Sequence, residues 1–443
     1  METLLQVDHQ VIESEQSPNG AGGTVVRALL SIAGHAHARD MRPPIGLALV
    51  LDRSGSMSGE RIDAARVAAA RAVDRLHPDE VVSVVAFDDH VQTVAAPRPR
   101  QQHHGLAAAV QAIDVRGSTN LSGGWLRGRQ HMEQALGLLG SLPGSSRRVV
   151  LLTDGHANVG ITEPATLIEL ARTARAMGIT TTTVGIGEGY DDALLRAMAD
   201  AGDGNAWYVE HPDQSHDVLA EALGNLLSVS AQGLTVTLSL GEAVSLFTVH
   251  SDWPVTSPST GVFTFDLGDL YAAEPKPLLF ELFVPAGMAE GLATVPTAIA
   301  TISVSGDVMT ASGGVEHRVV YLPLSATLDG QNRLQPEVEH AVLLARTAKA
   351  REEAARRQRE GDAHGAQAAM LSARECLMAS PLTQDAAVAE ELADQADDLT
   401  ALAERYASHT FSERDAKYQM QRSYNQKRGK LGYDKALTRR RGE

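Results

Sequence analysis

The chain has 443 residues, of which 43% are hydrophobic and 21% charged, so its length and composition indicate a globular protein of about three domains. Its apolar runs are far shorter than the roughly 20 residues that a membrane-spanning helix needs, and its single cysteine, Cys376, excludes an internal disulfide framework. The first residues, METLLQVDHQVIESEQ, lack the basic-then-apolar pattern of a signal peptide, so we expect a cytoplasmic protein without membrane contacts. The net charge is −16, but residues 411–443 hold ten Lys/Arg against four Asp/Glu; an acidic body with a short basic end disfavours general nucleic-acid binding.

Two strand-like stretches, 3–12 and 24–33, come first and are joined by a turn rich in glycine. Between 44 and 230, strands alternate with helices. The predicted strands are 45–51, 81–87, 91–95, 148–153, 179–186 and 206–209, and the predicted helices are 61–76, 105–113, 121–139, 164–177, 191–201 and 215–229. This alternation predicts an α/β domain with a mainly parallel sheet and helices on both faces. Only 91–95 is expected to run antiparallel, because its link to the preceding strand is too short for a crossover.

The region from 231 to 325 has a different pattern, in which polar and apolar residues alternate with period two. The stretches with this pattern are 234–240, 261–267, 277–284, 298–304 and 316–322, and they predict a small β sandwich. The N-terminal strands, within 1–43, precede a domain that is closed without them. We therefore predict that they complete the sandwich and that the α/β domain is inserted in it.

The last part of the chain is predicted to be helical. Residues 335–424 indicate a helical bundle, with breaks near Gly361-Asp362 and Ser380-Pro381 and a last helix starting near Ser412. Residues 425–443 are charged without apolar periodicity, which predicts a flexible basic tail.

The ends of two predicted strands carry side chains that suit a metal ion. Asp52 ends the first strand of the α/β domain and is followed closely by Ser54 and Ser56. Asp154 ends a second strand, and Thr119 lies in a Gly-Ser-Thr-Asn loop before a helix. Ligands bind beyond the carboxyl ends of parallel strands, so these side chains are expected to meet at one rim of the sheet. Their hard oxygen atoms suit Mg²⁺, with Mn²⁺ or Ca²⁺ as alternatives.

Asp52-x-Ser54-x-Ser56, the later Thr119 and Thr153-Asp154-Gly155 resemble, in order and spacing, the metal-ion-dependent adhesion site of von Willebrand factor A (VWA) domains. This resemblance covers the α/β region and implies a Rossmann-like sheet with a Mg²⁺ ion at its top. It implies that the serines, and often the threonine, bind the ion directly, while the aspartates act through water. One coordination position is then open for an acidic side chain of a partner.

A wider resemblance rests on the alanine-rich helices of 345–373, which contain Gly361-Asp362 and Met370-Leu371. This layout is similar to bacterial intracellular proteins with an A domain, which are related to inter-α-trypsin-inhibitor-like and chloride-channel-regulator-like chains. The resemblance implies a protein that serves a larger assembly, such as an AAA+ ATPase or a kinase–phosphatase system.

The sequence therefore predicts a non-enzymatic, Mg²⁺-dependent scaffold or adaptor that binds an Asp or Glu of a partner protein. One alternative is a serine hydrolase that uses Ser58, in the stretch Gly55-Ser56-Met57-Ser58-Gly59, with Asp154 and a histidine, His211 or His216. Against it, Ser58 lies further past its strand than the serine of a nucleophile elbow. A second alternative is a structural protein that contacts nucleic acid through 411–443. Asp88-Asp89 is expected to be a solvated hairpin turn.

Overall fold

The computed structural model describes residues 5–14, 23–34, 43–139, 145–187, 189–209, 229–272, 274–285, 297–310, 314–326 and 335–428. The predicted helix at 215–229 falls outside these residues up to position 228, and so does the predicted tail from 429 onward. Within the described ranges, no helix has an apolar stretch long enough to cross a membrane.

The chain starts with two antiparallel strands, β1 (Leu5–Ser14) and β2 (Gly23–Ile32), and then enters the α/β domain. The strands of this domain are β3 (Ile45–Asp52), β4 (Val81–Phe87), β5 (Val91–Pro99), β6 (Ser146–Thr153), β7 (Ile179–Ile186) and β8 (Asp203–Val209). Its helices are α1 (Glu60–Asp74), α2 (Leu106–Gln111), α3 (Leu121–Leu139), α4 (Pro164–Ala176) and α5 (Asp192–Ala201). The six strands form one sheet in the order β5-β4-β3-β6-β7-β8. All neighbours are parallel except β4 and β5, which confirms the predicted mainly parallel sheet and its antiparallel exception.

The central strand β3 is buried along its whole length because helices cover both faces of the sheet. Leu47, Leu49 and Leu51 point into the core that contains the alanines of α1. Val50 points to the other face, where α3 packs. Helix α3 approaches the sheet closely at Gly128, where a β-carbon would lie only 2.5 Å from the side chain of Val50. Gly128, and likewise Gly124 beside Phe87, thus serve helix–sheet packing, although glycine is a poor helix former.

Two antiparallel sheets form the β sandwich. Its later strands are β9 (Val229–Leu240), β10 (Ser245–Val249), β11 (Val255–Ser259), β12 (Val262–Tyr271), β13 (Lys276–Pro285), β14 (Thr297–Met309) and β15 (Val315–Ala326). The sheets have the orders β1-β2-β13-β10 and β11-β12-β9-β14-β15, and one apolar core lies between them. Strand β2 pairs with β13 along ten residues, with Leu30 opposite Leu278, so the predicted union of the N-terminal strands with the sandwich is confirmed.

In the described residues 335–428, four helices follow the sandwich: α6 (Pro336–Arg359), α7 (Ala363–Met378), α8 (Ala389–Ala407) and α9 (Glu413–Lys427). Helix α9 begins with a capping box, in which Ser412 and Asp415 bond to each other's backbone N–H. The predicted tail began too early, because Asn425, Gln426 and Lys427 belong to α9 and Arg428 follows it directly. These residues are held by polar contacts: Lys427 Nζ lies 2.7 Å from Glu352, and Arg428 packs on the Trp253 ring.

Candidate metal centre

The first part of the site is built by the turn that joins β3 to α1. Asp52 is the last residue of β3, and its Oδ1 accepts a hydrogen bond of 2.8 Å from the backbone N–H of Ser54. This bond turns the chain sharply, and residues 55–57 then form a single 3₁₀ turn before α1 begins. Ser54 is 2% exposed, whereas Ser56 is exposed at the surface. The turn therefore places the Ser54 hydroxyl at the buried end of the strand and the Ser56 hydroxyl at the solvent-exposed surface.

Two further loops close around this turn. The carbonyl of Gly117 accepts a hydrogen bond from the Gly55 N–H, which attaches the loop that carries Thr119. Gly155 follows the end of β6 and lies between Thr119 and Asp52. A β-carbon there would be 3.1 Å from Oγ1 of Thr119 and 3.8 Å from Oδ2 of Asp52, so glycine keeps the space between the two side chains open.

Hydrogen bonds link the predicted site residues across the rim. The hydroxyl groups of Ser54 and Ser56 lie 3.1 Å apart, and Ser56 donates to Oδ1 of Asp154 at 2.7 Å. Thr153 Oγ1 donates to Oδ2 of Asp52. Hydrogen bonds thus connect Ser54, Ser56 and Asp154, and Thr119 lies across Gly155 from Asp52. The bond from Thr153 to Asp52 joins the two strands that carry the aspartates.

This donor set fits a divalent ion. A serine hydroxyl that donates its proton to a carboxylate can offer a lone pair to a metal, and Ser56 donates in this way to Asp154. Burial raises the pKa of Asp52 to about 6; bonds from Thr153 and Ser54 oppose the rise and the charge of Asp154 adds to it. Among the described residues the carboxylate of Asp52 forms no salt bridge, and a bound cation would supply a direct counter-charge.

Arg61, in the first turn of α1, is a functional candidate that the sequence reasoning missed. Its Nη1 lies 2.7 Å from Oδ2 of Asp154 and 3.1 Å from the backbone oxygen of Ser56. Asp154 therefore uses both carboxylate oxygens, one toward Ser56 and one toward Arg61. The available signal for Arg61 in the sequence was its position, nine residues after Asp52 and in the first turn of the following helix, because the start of α1 faces the end of β3.

Asp88 lies in the predicted hairpin turn, between β4 and β5, but the expectation that this turn is solvated holds for Asp89 and is wrong for Asp88. It is 1% exposed, and its Oδ2 binds Nε of Arg53 at 2.8 Å and Nε of Arg116 at 3.0 Å. Burial raises its pKa, but the His90 N–H and the two arginines outweigh that effect and hold the pKa below its usual value. Its backbone oxygen accepts a bond from the N–H of Asn120, so Asp88 anchors the loop that carries Thr119.

Asp88, Asp89 and His90 form the one cluster of acidic and histidine side chains with metal-like spacing among the residues that the structure describes. Because Asp88 is already neutralised by Arg53 and Arg116, this cluster has less charge to offer a cation than the rim has. It nevertheless provides a rival site that an experiment must separate from the rim.

Comparison with known proteins identifies the α/β domain. Residues 47–221 match the family model of the von Willebrand factor type A domain, so the chain contains a domain of this class with its Rossmann-like fold. A solved von Willebrand factor type A protein from Catenulispora acidiphila has a TM-score of 0.63 at 18% identity and covers 89% of this chain and 91% of its own. The ArnB paralog VWA2 from Sulfolobus acidocaldarius has a TM-score of 0.52 at 17% identity and covers 96% of this chain and 98% of its own. These two likenesses concern the fold, including the regions outside the family match.

Relatives by sequence are bacterial and animal proteins. The uncharacterized protein sll0103 of Synechocystis is 27% identical over 293 residues, which are 63% of this chain and 67% of that protein. The uncharacterized protein YfbK of Escherichia coli is 27% identical over 54% of this chain and 42% of its own length. The human inter-alpha-trypsin inhibitor heavy chain H1 is 26% identical over 43% of this chain and 21% of its own. The match thus spans less than half of the second and third of these relatives.

Proposed function

We propose that the rim holds a divalent ion, Mg²⁺ in the cell, and that the loaded rim binds an Asp or Glu side chain of a partner protein. The observation that carries this proposal is the contact of the exposed Ser56 with the buried Ser54 and Asp154, next to the buried carboxylate of Asp52 that bonds to the Ser54 N–H. When bound, the ion supplies a positively charged acceptor for a carboxylate oxygen.

In this proposal each of the five residues has a defined part. The hydroxyl groups of Ser54, Ser56 and Thr119 are the direct oxygen ligands. Asp52 and Asp154 supply the negative charge that balances the ion. Asp154 also orients the Ser56 hydroxyl, and Asp52 holds the backbone N–H of Ser54. Asp88 fixes the Thr119 loop from behind, through its bond to the Asn120 N–H.

Domains of this class generally mediate protein–protein interactions, which supports a scaffold or adaptor rather than an enzyme. The sandwich and the four helices add further surface to the α/β domain. A cytoplasmic location is part of the proposal and is supported by the single, exposed and unpaired Cys376, which a reducing compartment tolerates. The partner class remains the one that the wider resemblance implies, an AAA+ ATPase or a kinase–phosphatase system.

The geometry around Ser58 gives no support to the hydrolase alternative. The Ser58 hydroxyl donates to the carbonyl of Gly55 at 2.7 Å, and Asp154 is engaged by Ser56 and Arg61. His211 and His216 lie outside the described residues. We therefore retain the metal-dependent binding module as the proposed function.

Much of the positive charge on which the nucleic-acid alternative depends is buried and paired within the protein. Lys417, Arg422, Lys427 and Arg428 are all under 10% exposed in their side chains and pair with acidic groups of the same chain. Apart from the half-buried Arg414, the basic residues left for such a role lie from 429 onward, outside the described part.

Calorimetric titration with Mg²⁺ and Mn²⁺ tests the metal site. The wild-type protein is expected to bind one ion, and Asp154→Ala is expected to abolish binding while the far-ultraviolet circular dichroism stays unchanged. Asp89→Ala is the matched control, because it removes a carboxylate of the rival cluster and leaves the rim intact. Loss of metal binding in Asp89→Ala, with normal binding in Asp154→Ala, would show that the ion binds at the rival cluster and not at the rim.

Partner recognition is tested by a pull-down from a cell extract, with the wild-type protein and the Ser54→Ala/Ser56→Ala double variant as baits. A partner that depends on the rim is retained by the wild type with Mg²⁺ present. EDTA, and separately the double variant, are expected to release it. A partner held equally well by both baits does not use the rim.

A further inference from the structure

The guanidinium of Arg61 is a fixed positive charge on the same rim. Its Nη1 is 2.7 Å from Asp154 Oδ2, and the Arg61 side chain is 34% exposed, whereas that of Asp154 is fully buried. A partner group that reaches the rim therefore meets Arg61 before it meets Asp154.

The loop after β7 holds this guanidinium in place. Gly187 has φ +74° and donates its N–H to the carbonyl of Val209. A β-carbon on Gly187 would lie 2.8 Å from Nε and 3.1 Å from Cζ of Arg61, so the guanidinium rests where any larger residue would have a side chain. Position 187 therefore requires glycine on two grounds: its φ is positive, and Arg61 occupies the space that a side chain would need.

Arg61 also keeps hydrogen-bonding capacity for a ligand. Within the described part of the chain, both of its hydrogen bonds come from Nη1. Nε and Nη2 keep N–H groups, and a guanidinium fork matches the two oxygens of a carboxylate.

The charges at the rim give Arg61 two opposite effects. Asp52 and Asp154 together balance a divalent ion, so the loaded rim would be neutral without Arg61. With Arg61 the loaded rim has one excess positive charge. This charge repels the incoming ion and attracts a carboxylate.

We propose that Arg61 is a recognition residue of the rim, which weakens binding of the divalent ion and supplies a second cation for binding of a carboxylate ligand. This inference rests on the proposed function and adds a two-point mode of recognition, by the ion and by the arginine. It requires that one substitution change the two affinities in opposite directions.

The test compares the wild type with Arg61→Gln, Arg61→Lys and Arg66→Gln. Arg66 is the matched control, because it lies on the same helix and pairs with Asp63 and the carbonyl of Ile113 instead of the rim. Mn²⁺ affinity is measured by calorimetry. Acetate binding to the Mn²⁺-loaded protein is measured by the fall in water-proton relaxation as a carboxylate displaces water from the ion.

In Arg61→Gln, Mn²⁺ affinity is expected to rise about tenfold, the factor that corresponds to about 1.4 kcal/mol, and acetate affinity to fall by a similar factor. Arg61→Lys keeps the charge, so its Mn²⁺ affinity should stay within about twofold of wild type, with weaker acetate binding because the fork is lost. Arg66→Gln should change neither affinity by more than about twofold.

Weaker Mn²⁺ binding in Arg61→Gln would overturn the inference, because it would make Arg61 a support for Asp154. Unchanged acetate binding in that variant would also overturn it. Both outcomes leave the proposed function intact, since the wild type still binds Mn²⁺ and acetate. A wild type that binds no Mn²⁺ would instead remove the proposed function, and the inference with it.

Discussion

The close packing of α3 on the sheet gives a stability prediction with a control on the same helix. Gly128 and Gly137 both lie within α3, but only Gly128 faces the sheet. A β-carbon on Gly128 would be 2.5 Å from Val50 Cγ2 and 3.2 Å from Val149 Cγ1, whereas one on Gly137 would have no atom within 4 Å. Alanine is favoured over glycine in a helix by about 1 kcal/mol. Gly137→Ala should therefore stabilise the domain by roughly that amount.

Gly128→Ala gains the same helix propensity but must displace its neighbours. Val50 and Val149 are fully buried and β-branched, so they cannot rotate away without disturbing the core. Overpacking of this kind costs about 1–3 kcal/mol, so we expect a net loss of up to about 2 kcal/mol. The two variants should then differ by about 1–3 kcal/mol, close to the packing cost itself.

Urea unfolding measures this difference. Trp125 is buried in α3 and bonds to Thr181, so tryptophan fluorescence reports on this packing. The midpoint should fall in Gly128→Ala and rise in Gly137→Ala, with the slope unchanged in both. If Gly128→Ala were as stable as Gly137→Ala, α3 would not be held to the sheet by this close approach, and our account of its glycines would be wrong.

Three other predictions concern pH, metal and the C-terminal end. Burial, with a smaller effect of Arg127, lowers the pKa of His131 to about 4, so stability should fall as pH drops from 6.5 toward 4, where only the unfolded chain takes up the proton. NMR titration of the ring checks the pKa, and His131→Gln should flatten that slope of stability against pH. Mg²⁺ at 100 times its dissociation constant should stabilise the wild type by about 2.7 kcal/mol, and a thermal-shift assay should show no such gain in Asp154→Ala. Deletion of 429–443 should leave the melting temperature unchanged and should only slow association with an acidic partner at low salt. Deletion of 425–443 should also lower the melting temperature, because the ion pairs of Lys427 and Arg428 are lost.

The features that the sequence predicted well depend on periodicity or on short motifs. Buried parallel strands such as β3 are continuous apolar runs, and the site residues follow directly after strand ends, so their common rim follows from the topology. The sandwich strands β10 and β11 were missed because they are five residues long and no residue in them is buried, so neither has a period-two apolar pattern.

Features that depend on contacts between distant residues could not be predicted in this way. Asp88 looked like part of a solvated turn because its partners, Arg53 and Arg116, are 35 and 28 residues away in the chain. The predicted end of helix α9, at residue 424, came too early for a similar reason. Its side chains are polar, and their partners, such as Ala348 for Ser423 and Asp200 for Tyr424, lie on other elements.

The same polar helix connects the C-terminal region to the candidate site. Lys417 of α9 donates to the carbonyl of Tyr190 at 2.6 Å, and its ammonium group lies 4.5 Å from the centre of the Tyr190 ring. Tyr190 belongs to the loop after β7, in which Gly187 supports Arg61 and Gly189 lies against the backbone oxygen of Asp154. Because a buried lysine needs its partners, this contact fixes the loop relative to α9. The side of the rim that carries Arg61 and Asp154 is therefore positioned by the helical region as well as by the sheet, which gives the helices a structural part in the proposed recognition of a carboxylate.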